Sequence, residues 1–448
     1  MSWNSEYIVI LLIVTAIGYL SGLWLSREER VGKRWIILAL SLVACLGILF
    51  TFKYFYLSNS ILQTVTDRLE ITYLQRYRLI FPLGISFFIF QTMSYIMDVY
   101  RGVAKPEKHA GLFALYVAFF PHLTAGPIAR ANLLLPQFRE SHLPDYERIV
   151  SGLLRMAWGF FKKLVIADRL AALVDVVYGD PTTYTGIALI LATYAFAFQI
   201  YCDFSGYADI AIGTAGVLGF RLQENFLLPY YAQSIPDFWR RWHVTLYNWL
   251  RDYIFYPVSR ALHRNGFASS SLMGFLLPPM LTMLASGLWH GTHWTFILWG
   301  GLHGLYMIGY VLCNRANIRS RLPFTLPRYV ARGLNIFVTF NLVSFAWIFF
   351  RANSTTDALY IIGNLFVFPK TGVSVTDIMP GGGYELVIAL AAILLMELVH
   401  WQQRRNSSLR DIICRQPAWL RWSVYYGLVL VIFMFGKFDT AEFIYSRF

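Results

Sequence analysis

The sequence predicts an all-α protein that crosses a membrane many times. Of the 448 residues, 57% are hydrophobic and only 14% are charged, and the mean hydropathy is +0.50. Long apolar stretches also recur from one end of the chain to the other. A helix needs about 20 mostly apolar residues to cross the hydrocarbon core of a bilayer. Repeated stretches of that length in a chain of this composition are typical of a polytopic membrane protein.

Nine stretches are long and apolar enough to predict membrane helices, at residues 7–25, 35–56, 79–99, 186–204, 271–288, 294–313, 334–350, 385–399 and 422–435. Shorter or more polar candidates lie at 111–121, 149–166 and 208–220. We therefore expect roughly eleven or twelve membrane segments, several of them too short to cross unaided. The first stretch lacks a basic flank and a small-residue cleavage site, so we interpret it as a retained helix and not as a secretory signal.

The basic residues that give the net charge of +13 gather in short loops, at 27–34, 101–108 and 404–415. Lys and Arg accumulate in cytoplasmic loops, so these loops are predicted to face the cytoplasm and the amino terminus to face outward. Charge that is scattered over membrane-flanking loops disfavours nucleic-acid binding. The four cysteines are widely spaced without a Cys-x-x-Cys pair, so neither a zinc site nor a redox dithiol is indicated.

Residues 286–304 combine three histidines, His290, His293 and His303, with no charged residue. Ionisable side chains in membrane segments are rare and usually functional. Because a neutral imidazole accepts a proton near neutral pH, general-base chemistry is indicated. His290 and His293 also have the spacing of a metal pair, which the lack of a nearby acidic residue disfavours. His303 is predicted to pack or hydrogen-bond where nearby glycines permit close helix approach.

A stretch rich in tryptophan and arginine, beginning at Ser234, predicts one amphipathic helix. Ser234 is followed by a proline in the first turn and an acidic residue three positions later, which is typical of a helix start. Trp239 belongs to an apolar stripe, and Arg240 and Arg241 mark its polar border. Such a helix suits the membrane interface, where His243 alone would be interpreted as an interfacial histidine.

His122 and Arg130 lie at the ends of a segment that two prolines and a glycine prevent from being helical. At membrane depth, broken backbone is tolerated only inside protein or beside a water-filled cavity. The two side chains are therefore candidates to line a cavity, and an ordinary interfacial loop is the alternative.

Asp203 and Ser205 follow a long apolar stretch. A carboxylate inside a membrane is functional by default. In the alternative interpretation, one of the two residues caps a helix that begins near Tyr207. Lys162 and Lys163 are interpreted as side chains that extend toward phosphate headgroups.

Nine short motifs follow one another along most of the chain. They are Pro82-Leu-Gly-Ile-Ser-Phe87, Asp98-Val-Tyr-Arg-Gly102, Ala125-Gly-Pro-Ile128, Phe161-Lys-Lys163, Asp203-Phe-Ser-Gly-Tyr207, Glu224-Asn-Phe226, Phe238-Trp-Arg-Arg-Trp-His243, Leu250-Arg-Asp-Tyr253 and Leu288-Trp-His-Gly291. In this order they resemble the bacterial membrane-bound O-acyltransferase (MBOAT) family, and most closely its alginate O-acetyltransferase type. Each motif alone is weak, whereas the ordered set is specific.

The resemblance implies a single integral membrane domain over residues 1–448, with its motif-rich core at about 79–312. It further implies a ring of roughly 11 tilted helices, with re-entrant or interfacial helices and a thin central tunnel. His290 matches the family's essential histidine and His243 its second histidine. The candidates to line the tunnel or contact substrate are Asp203, Ser205, Trp239, Arg240, Arg241, Trp289, His122 and Arg130.

The activity that the resemblance implies is transfer of an acetyl group from a cytoplasmic donor, expected to be acetyl-CoA, to hydroxyls of an extracytoplasmic polysaccharide. His290 would act as the general base. His243 would position the donor or polarise its carbonyl. Neither a bound cofactor nor a metal is expected, because the thioester is already activated. The expected partners are the phospholipid bilayer, the polysaccharide acceptor and a periplasmic or extracellular acetyltransferase protein, and the expected location is the bacterial cytoplasmic (inner) membrane.

After Tyr253 the sequence departs from the alginate type, whose members often continue with a Gly-Gly-Asn-Arg turn. Alginate, cellulose and peptidoglycan therefore remain open as acceptors. Within the family, transfer of D-alanine from a carrier protein to teichoic acid is the alternative. Outside it, a permease or flippase also accounts for buried polar residues and broken helices.

Overall fold

The computed structural model describes residues 6–68, 84–267, 271–316, 327–368, 378–405, 413, 416–438 and 443. Over these residues the chain is helical and contains no strand, which confirms the predicted all-α class. Eight of the described helices are long and apolar enough to cross a membrane, over Tyr7–Arg27, Val31–Lys53, Ile187–Val217, Leu272–His290, Trp294–Arg315, Arg328–Arg351, Gly382–Arg404 and Ala418–Phe435. The chain is therefore a multi-pass membrane protein, whereas the count of eleven stays a prediction.

The chain divides into two compact units, and unit 1 comprises Met1–Asp145 and Leu218–Gln223. Its helices are α1 Glu6–Arg27, α2 Val31–Arg68, α3 Ile85–Tyr100, α4 Ala110–Ala118, α5 Phe120–Leu123 and α6 Ala131–Leu134. α3 is buried along nearly its whole length and packs against α1 and α2. The start of the third predicted segment, residues 79–83, lies outside the described residues.

Unit 2 comprises Tyr146–Val217 and Glu224–Phe448. Its helices are α7 Tyr146–Phe160, α8 Asp168–Gly179, α9 Ile187–Val217, α10 Ile235–Trp239, α11 Val244–Leu250, α12 Tyr256–Arg264, α13 Leu272–His290, α14 Trp294–Arg315, α15 Arg328–Arg351, α16 Thr355–Asn364, α17 Gly382–Arg405 and α18 Ala418–Phe435. π-Helical segments join α7 to α8 (Phe161–Ala167) and α11 to α12 (Arg251–Phe255). The prediction of one domain over residues 1–448 stays a prediction.

α9 merges two predicted segments, 186–204 and 208–220, into one helix. Asp203 and Ser205 therefore lie in the helix interior, and the prediction that either residue caps a new helix is wrong. Gly206 lets α7 pack closely against α9 at this point, because a Cβ on residue 206 would lie 2.8 Å from the carbonyl oxygen of Gly159. A helix can keep its backbone bonds through a glycine when tertiary packing supports it.

Of the two lysines in the π-helical segment, Lys162 is buried and Lys163 is half-buried, and both form salt bridges with carboxylates. Lys162 Nζ lies 2.6 Å from Asp209 Oδ2, and Lys163 Nζ lies 2.6 Å from Asp203 Oδ1 and 2.8 Å from Asp168 Oδ1. A buried ammonium requires such partners, because removing an unpaired charge from water is expensive. The interpretation that these lysines extend toward headgroups is therefore wrong.

Candidate active site

Two glycines bring α13 and α14 into close contact and so place His290, the last residue of α13. A Cβ at Gly287 would overlap the carbonyl oxygen of Phe296, and one at Gly300 would overlap that of Met283. Small residues at such crossings let helix backbones approach closely. The predicted glycine-mediated approach near His303 is thus confirmed.

His290 and His293 do not share a helix, because α13 ends at His290 and His293 precedes the first residue of α14. The helical i, i+3 spacing that suggested a metal pair is therefore lost. Among the described residues, no group of three or more His, Cys, Asp or Glu side chains is arranged to hold a metal ion.

The imidazole of His290 lies in an aromatic environment and is only 3% exposed. Its ring centroid lies 4.9 Å from Trp289, 5.1 Å from Trp299 and 5.0 Å from Phe350. Apolar walls exclude water and strengthen electrostatic interactions with a bound reactant. The surroundings therefore suit proton transfer at a desolvated site.

His243 occupies a break in the chain, where one amphipathic helix was predicted over residues 234–252. The helix start is confirmed, since Ser234 Oγ accepts from the backbone N–H of Asp237 at 3.2 Å. α10 nevertheless ends at Trp239, and α11 begins only at Val244. Between them His243 adopts φ 43°, so the prediction of one continuous helix is wrong.

Asn225 accounts for this break. Its backbone oxygen accepts from the Val244 N–H at 2.9 Å, and its Oδ1 accepts from the Thr245 N–H at 3.2 Å. The same Oδ1 lies 3.1 Å from Nδ1 of His243. Because an oxygen held by a backbone N–H is an acceptor, Nδ1 of His243 must donate, and Nε2 carries the lone pair. His243 is 1% exposed, and burial lowers its pKa to about 3.

One indole joins the two histidines that the sequence placed far apart. The Trp289 ring lies 4.9 Å from His290 and 5.7 Å from His243. Trp299 lies 5.1 Å from His290 and 4.9 Å from His303. We call these five residues, His243, Trp289, His290, Trp299 and His303, the histidine cluster.

Trp239 contacts this cluster at the opposite end from His243. Its Nε1 lies 3.3 Å from Nδ1 of His303, and its ring lies 5.1 Å from His303 and 5.8 Å from Trp299. Four of the predicted site residues, His243, His290, Trp239 and Trp289, therefore lie together in unit 2.

The other candidates lie elsewhere. Asp203 pairs with Lys163 and Ser205 accepts from Lys162, while Phe204 between them lies 4.7 Å from His243. Arg241 pairs with Asp237 at 3.0 Å, and Arg240 is exposed. The roles that the motifs imply for these side chains at a tunnel stay predictions.

His122 and Arg130 belong to unit 1. His122 is buried against Phe119, with 5.5 Å between ring centroids, and Arg130 Nη1 lies 3.9 Å from Asp98 Oδ2. Their predicted cavity-lining role also stays a prediction.

A cavity of about 750 Å³ opens in unit 2 beside Asn225. One side is charged, with Arg155, Lys162, Asp209 and Glu224 joined by salt bridges. The residues that α17 and α18 contribute are mainly apolar, with His400 and Gln403 as the polar exceptions. Since Asn225 also holds His243, a single residue separates the cavity from the histidine cluster.

Sequence reasoning missed the roles of Asn225, Trp299 and Phe350. Asn225 lies in one of the recognised motifs. Its backbone and side-chain hydrogen bonds, however, join it to residues 243–245, and no periodicity in the sequence predicts that contact. Trp299 lay in the charge-free stretch around His290, which was the available signal. Phe350 lies on α15, and nothing in the sequence around it indicated a role at the site.

Comparison with known proteins agrees with the resemblance in the motifs. The family model for membrane-bound O-acyltransferases (MBOAT) matches residues 109–352. The probable alginate O-acetylase AlgI of Pseudomonas aeruginosa is 34% identical over 412 residues, covering 91% of this chain and 75% of that protein. The peptidoglycan O-acetyltransferase of Helicobacter pylori is 32% identical over 388 residues, covering 80% of this chain and 70% of that protein. The teichoic acid D-alanyltransferase of Streptococcus thermophilus is 28% identical over 289 residues, covering 60% of this chain and 68% of that protein.

Proposed function

Because the chain belongs to the membrane-bound O-acyltransferase family and is an O-acyltransferase, we propose that it transfers acetyl groups to hydroxyls of an extracytoplasmic polysaccharide. Relatives named for O-acetylation of alginate and of peptidoglycan support an acetyl group and a glycan acceptor. Membership of an enzyme family also argues against the alternative of a permease or flippase.

The observation that carries this proposal is the meeting of His243 and His290 on the two sides of Trp289. Two imidazoles in a water-poor aromatic cluster provide what acyl transfer needs, which is a base for the hydroxyl and a group that positions the donor.

His290 acts as the general base in the proposed reaction. It takes the proton of the acceptor hydroxyl while the oxygen attacks the thioester carbonyl carbon. The new C–O bond forms, the C–S bond breaks, and the imidazolium returns the proton to the departing thiolate. A positioned base contributes about 10²–10⁴-fold to such a step.

His243 positions the donor. Polarising a carbonyl requires an N–H, and the Nδ1–H of His243 is directed to Asn225. Nε2 with its lone pair instead suits an N–H or O–H of the donor. An acetyl-CoA donor carries amide N–H groups in its pantetheine arm, which such an acceptor binds.

We further propose that the donor is acetyl-CoA and that its arm enters through the cavity beside Asn225. The cavity's volume, its apolar side and its charged side together match an arm that has both methylene and amide groups. The bacterial cytoplasmic membrane is the proposed location, and an extracytoplasmic acetyltransferase is the proposed partner that completes the transfer to glycan.

The test places wild type and His290→Ala in membranes with their native envelope partners and supplies acetyl-labelled coenzyme A. We expect label on glycan or on a partner protein with wild type, and a loss of at least 100-fold with His290→Ala at equal protein level. Gly309→Ala serves as a control, because a Cβ there meets nothing within 4 Å.

Two results would contradict the proposal. Equal labelling by wild type and His290→Ala would remove His290 from the base role. Labelling from a D-alanyl carrier protein, but not from acetyl-CoA, would replace acetyl transfer by the D-alanyl transfer for which the Streptococcus thermophilus relative is named.

A further inference from the structure

Three ring nitrogens, one on Trp299 beside His290 and two on rings that contact Trp299, find no hydrogen-bond partner among the residues that the structure describes. They are Nε1 of Trp299, Nε1 of Trp347 and Nε2 of His303, and all three are shielded from solvent. Their rings are contiguous, with Trp299 centred 4.9 Å from His303 and 5.7 Å from Trp347. A buried polar atom without a partner costs free energy, so several in one place call for an explanation, and a catalytic role is one of those that native proteins provide.

The hydrogen bond from Trp239 fixes the tautomer of His303 and so determines which ring nitrogen can donate to a ligand. An indole N–H can only donate, and Nε1 of Trp239 lies 3.3 Å from Nδ1 of His303. Nδ1 therefore accepts, so the neutral ring carries its proton on Nε2. His303 is thus a donor at Nε2, whereas Asn225 gives His243 the opposite tautomer.

The three groups are alike in being uncharged N–H donors. A phosphate or carboxylate ligand is normally bound by Arg or Lys, whereas the side chains that pack on the Trp299 ring are themselves aromatic: Trp239, His290, His303, Trp347 and Phe350. A carbonyl oxygen fits better, since it is neutral when it binds and gains negative charge only as a nucleophile attacks. Preorganised N–H donors stabilise that charge most effectively in a water-poor site.

We propose that Nε2–H of His303 and Nε1–H of Trp299 hold the carbonyl oxygen of the acyl group and stabilise the oxyanion that forms on it, with Trp347 as a third donor. This inference rests on the proposed acyl transfer and assigns the stabilising groups of the same site. As the acceptor oxygen bonds to the carbonyl carbon, the C=O electron pair moves to the oxygen and is held by the donors. The pair returns when the C–S bond breaks, and His290 carries the proton from hydroxyl to thiolate.

Single-ring substitutions separate this role from packing. His303→Phe and Trp299→Phe each keep an aromatic ring and delete one N–H. His303→Gln keeps a side-chain N–H donor. Trp242→Phe is the matched control, because Trp242 is equally buried in the same aromatic core, 5.1 Å from Trp347, but is not one of the three donors.

The chemical step is measured in single-turnover acetyl transfer with wild type and the four variants. We expect His303→Phe and Trp299→Phe to slow the chemical step about 100-fold at a saturating concentration of the donor. We expect His303→Gln to recover about 10-fold of that loss, and Trp242→Phe to stay within about threefold of wild type.

A second measurement does not depend on turnover. In the His290→Ala background, the carbonyl stretch of bound 13C-acetyl-CoA is recorded by isotope-edited infrared spectroscopy. Hydrogen bonds from the donors lower its frequency, and addition of His303→Phe is expected to return it toward the value of the free thioester.

The inference would be overturned, and the proposed function would stand, if wild type transfers acetyl groups and the transfer rates of His303→Phe and Trp299→Phe are both within threefold of that of Trp242→Phe. A carbonyl frequency that His303→Phe does not move would overturn it in the same way. Wild type that transfers no acetyl group from acetyl-CoA would instead overturn the proposed function, and the inference with it.

Discussion

His243 has a backbone conformation that costs energy, and hydrogen bonds with Asn225 stabilise it. Its φ of 43° and ψ of 54° lie in the left-handed region, which few residues other than glycine adopt. Asn225 compensates through bonds to His243, Val244 and Thr245. Strained residues persist where the surroundings determine them and tend to mark functional sites. The imidazole is thereby fixed beside Trp289.

The buried state of His243 predicts a pH dependence of stability. Its pKa is about 6.5 in the unfolded chain and about 3 in the folded protein. Below pH 6.5 the unfolded imidazole takes up a proton that the folded one refuses until about pH 3, so the free energy of unfolding falls as the pH drops through this window. At pH 5 the loss is about 2 kcal/mol.

Thermal unfolding in detergent at pH 7.5 and pH 5, compared between wild type and His243→Gln, measures this contribution. The variant lacks the titrating ring and is expected to lose less stability on acidification by that amount. An identical loss in both proteins would show that His243 does not titrate between the folded and unfolded states as described.

At the scale of helices, the crossing of α13 and α14 sets the distance between His290 and Trp299. Gly287 and Gly300 each face backbone of the other helix, so neither has room for a side chain. The crossing also turns the chain sharply after His290, and this turn separates His290 from His293.

Gly287→Ala is expected to push α13 away from α14. Overpacking of this kind destabilises by about 1–3 kcal/mol, and the shift of His290 against Trp299 is expected to lower acetyl transfer at least 10-fold. Gly309→Ala on α14 is the control, since its Cβ meets nothing within 4 Å. Unchanged transfer by a correctly folded Gly287→Ala would show that this crossing does not position the base.

At the scale of the molecule, α17 and α18 form the apolar side of the cavity and are themselves mostly exposed, as expected for helices that face lipid. An ion cluster attaches them to the rest of unit 2. Glu385 on α17 pairs with Arg169 on α8 and with Lys437 after α18, 2.8 Å from its Nζ. The backbone N–H of Lys437 also donates to Leu164 at 3.0 Å. These bonds keep the cavity wall in place.

Gly427 on α18 lines the cavity and has free space at its Cβ, so Gly427→Phe fills the cavity without a backbone clash. If the donor arm binds there, KM for acetyl-CoA rises at least 10-fold while the protein keeps its thermal stability. Gly333→Phe is the control, because Gly333 lies on an exposed part of α15 with equal free space outside the cavity. Equal KM values in the two variants would place donor binding elsewhere.

Composition and motifs suffice to predict the class of the protein and much of its chemistry. Apolar length and composition suffice for a multi-pass helical membrane protein because the bilayer demands about 20 apolar residues per crossing. The ordered motifs then identified the acyltransferase family, including the segments that hold His243 and His290. The cap at Ser234 was also predictable from the sequence, since a side chain that satisfies a helix start acts locally.

Features that depend on contacts between residues distant in sequence become visible only in the folded structure. The helix predicted through His243 is interrupted because Asn225 forms hydrogen bonds with His243 and Thr245 that replace those of a continuing helix. α9 continues through Asp203, and Lys162 and Lys163 turn inward, because carboxylates and ammonium groups on neighbouring segments pair with one another. The folded structure also joins His243 and His290 through Trp289, since periodicity records which side of a helix is apolar but not which helix that side will meet.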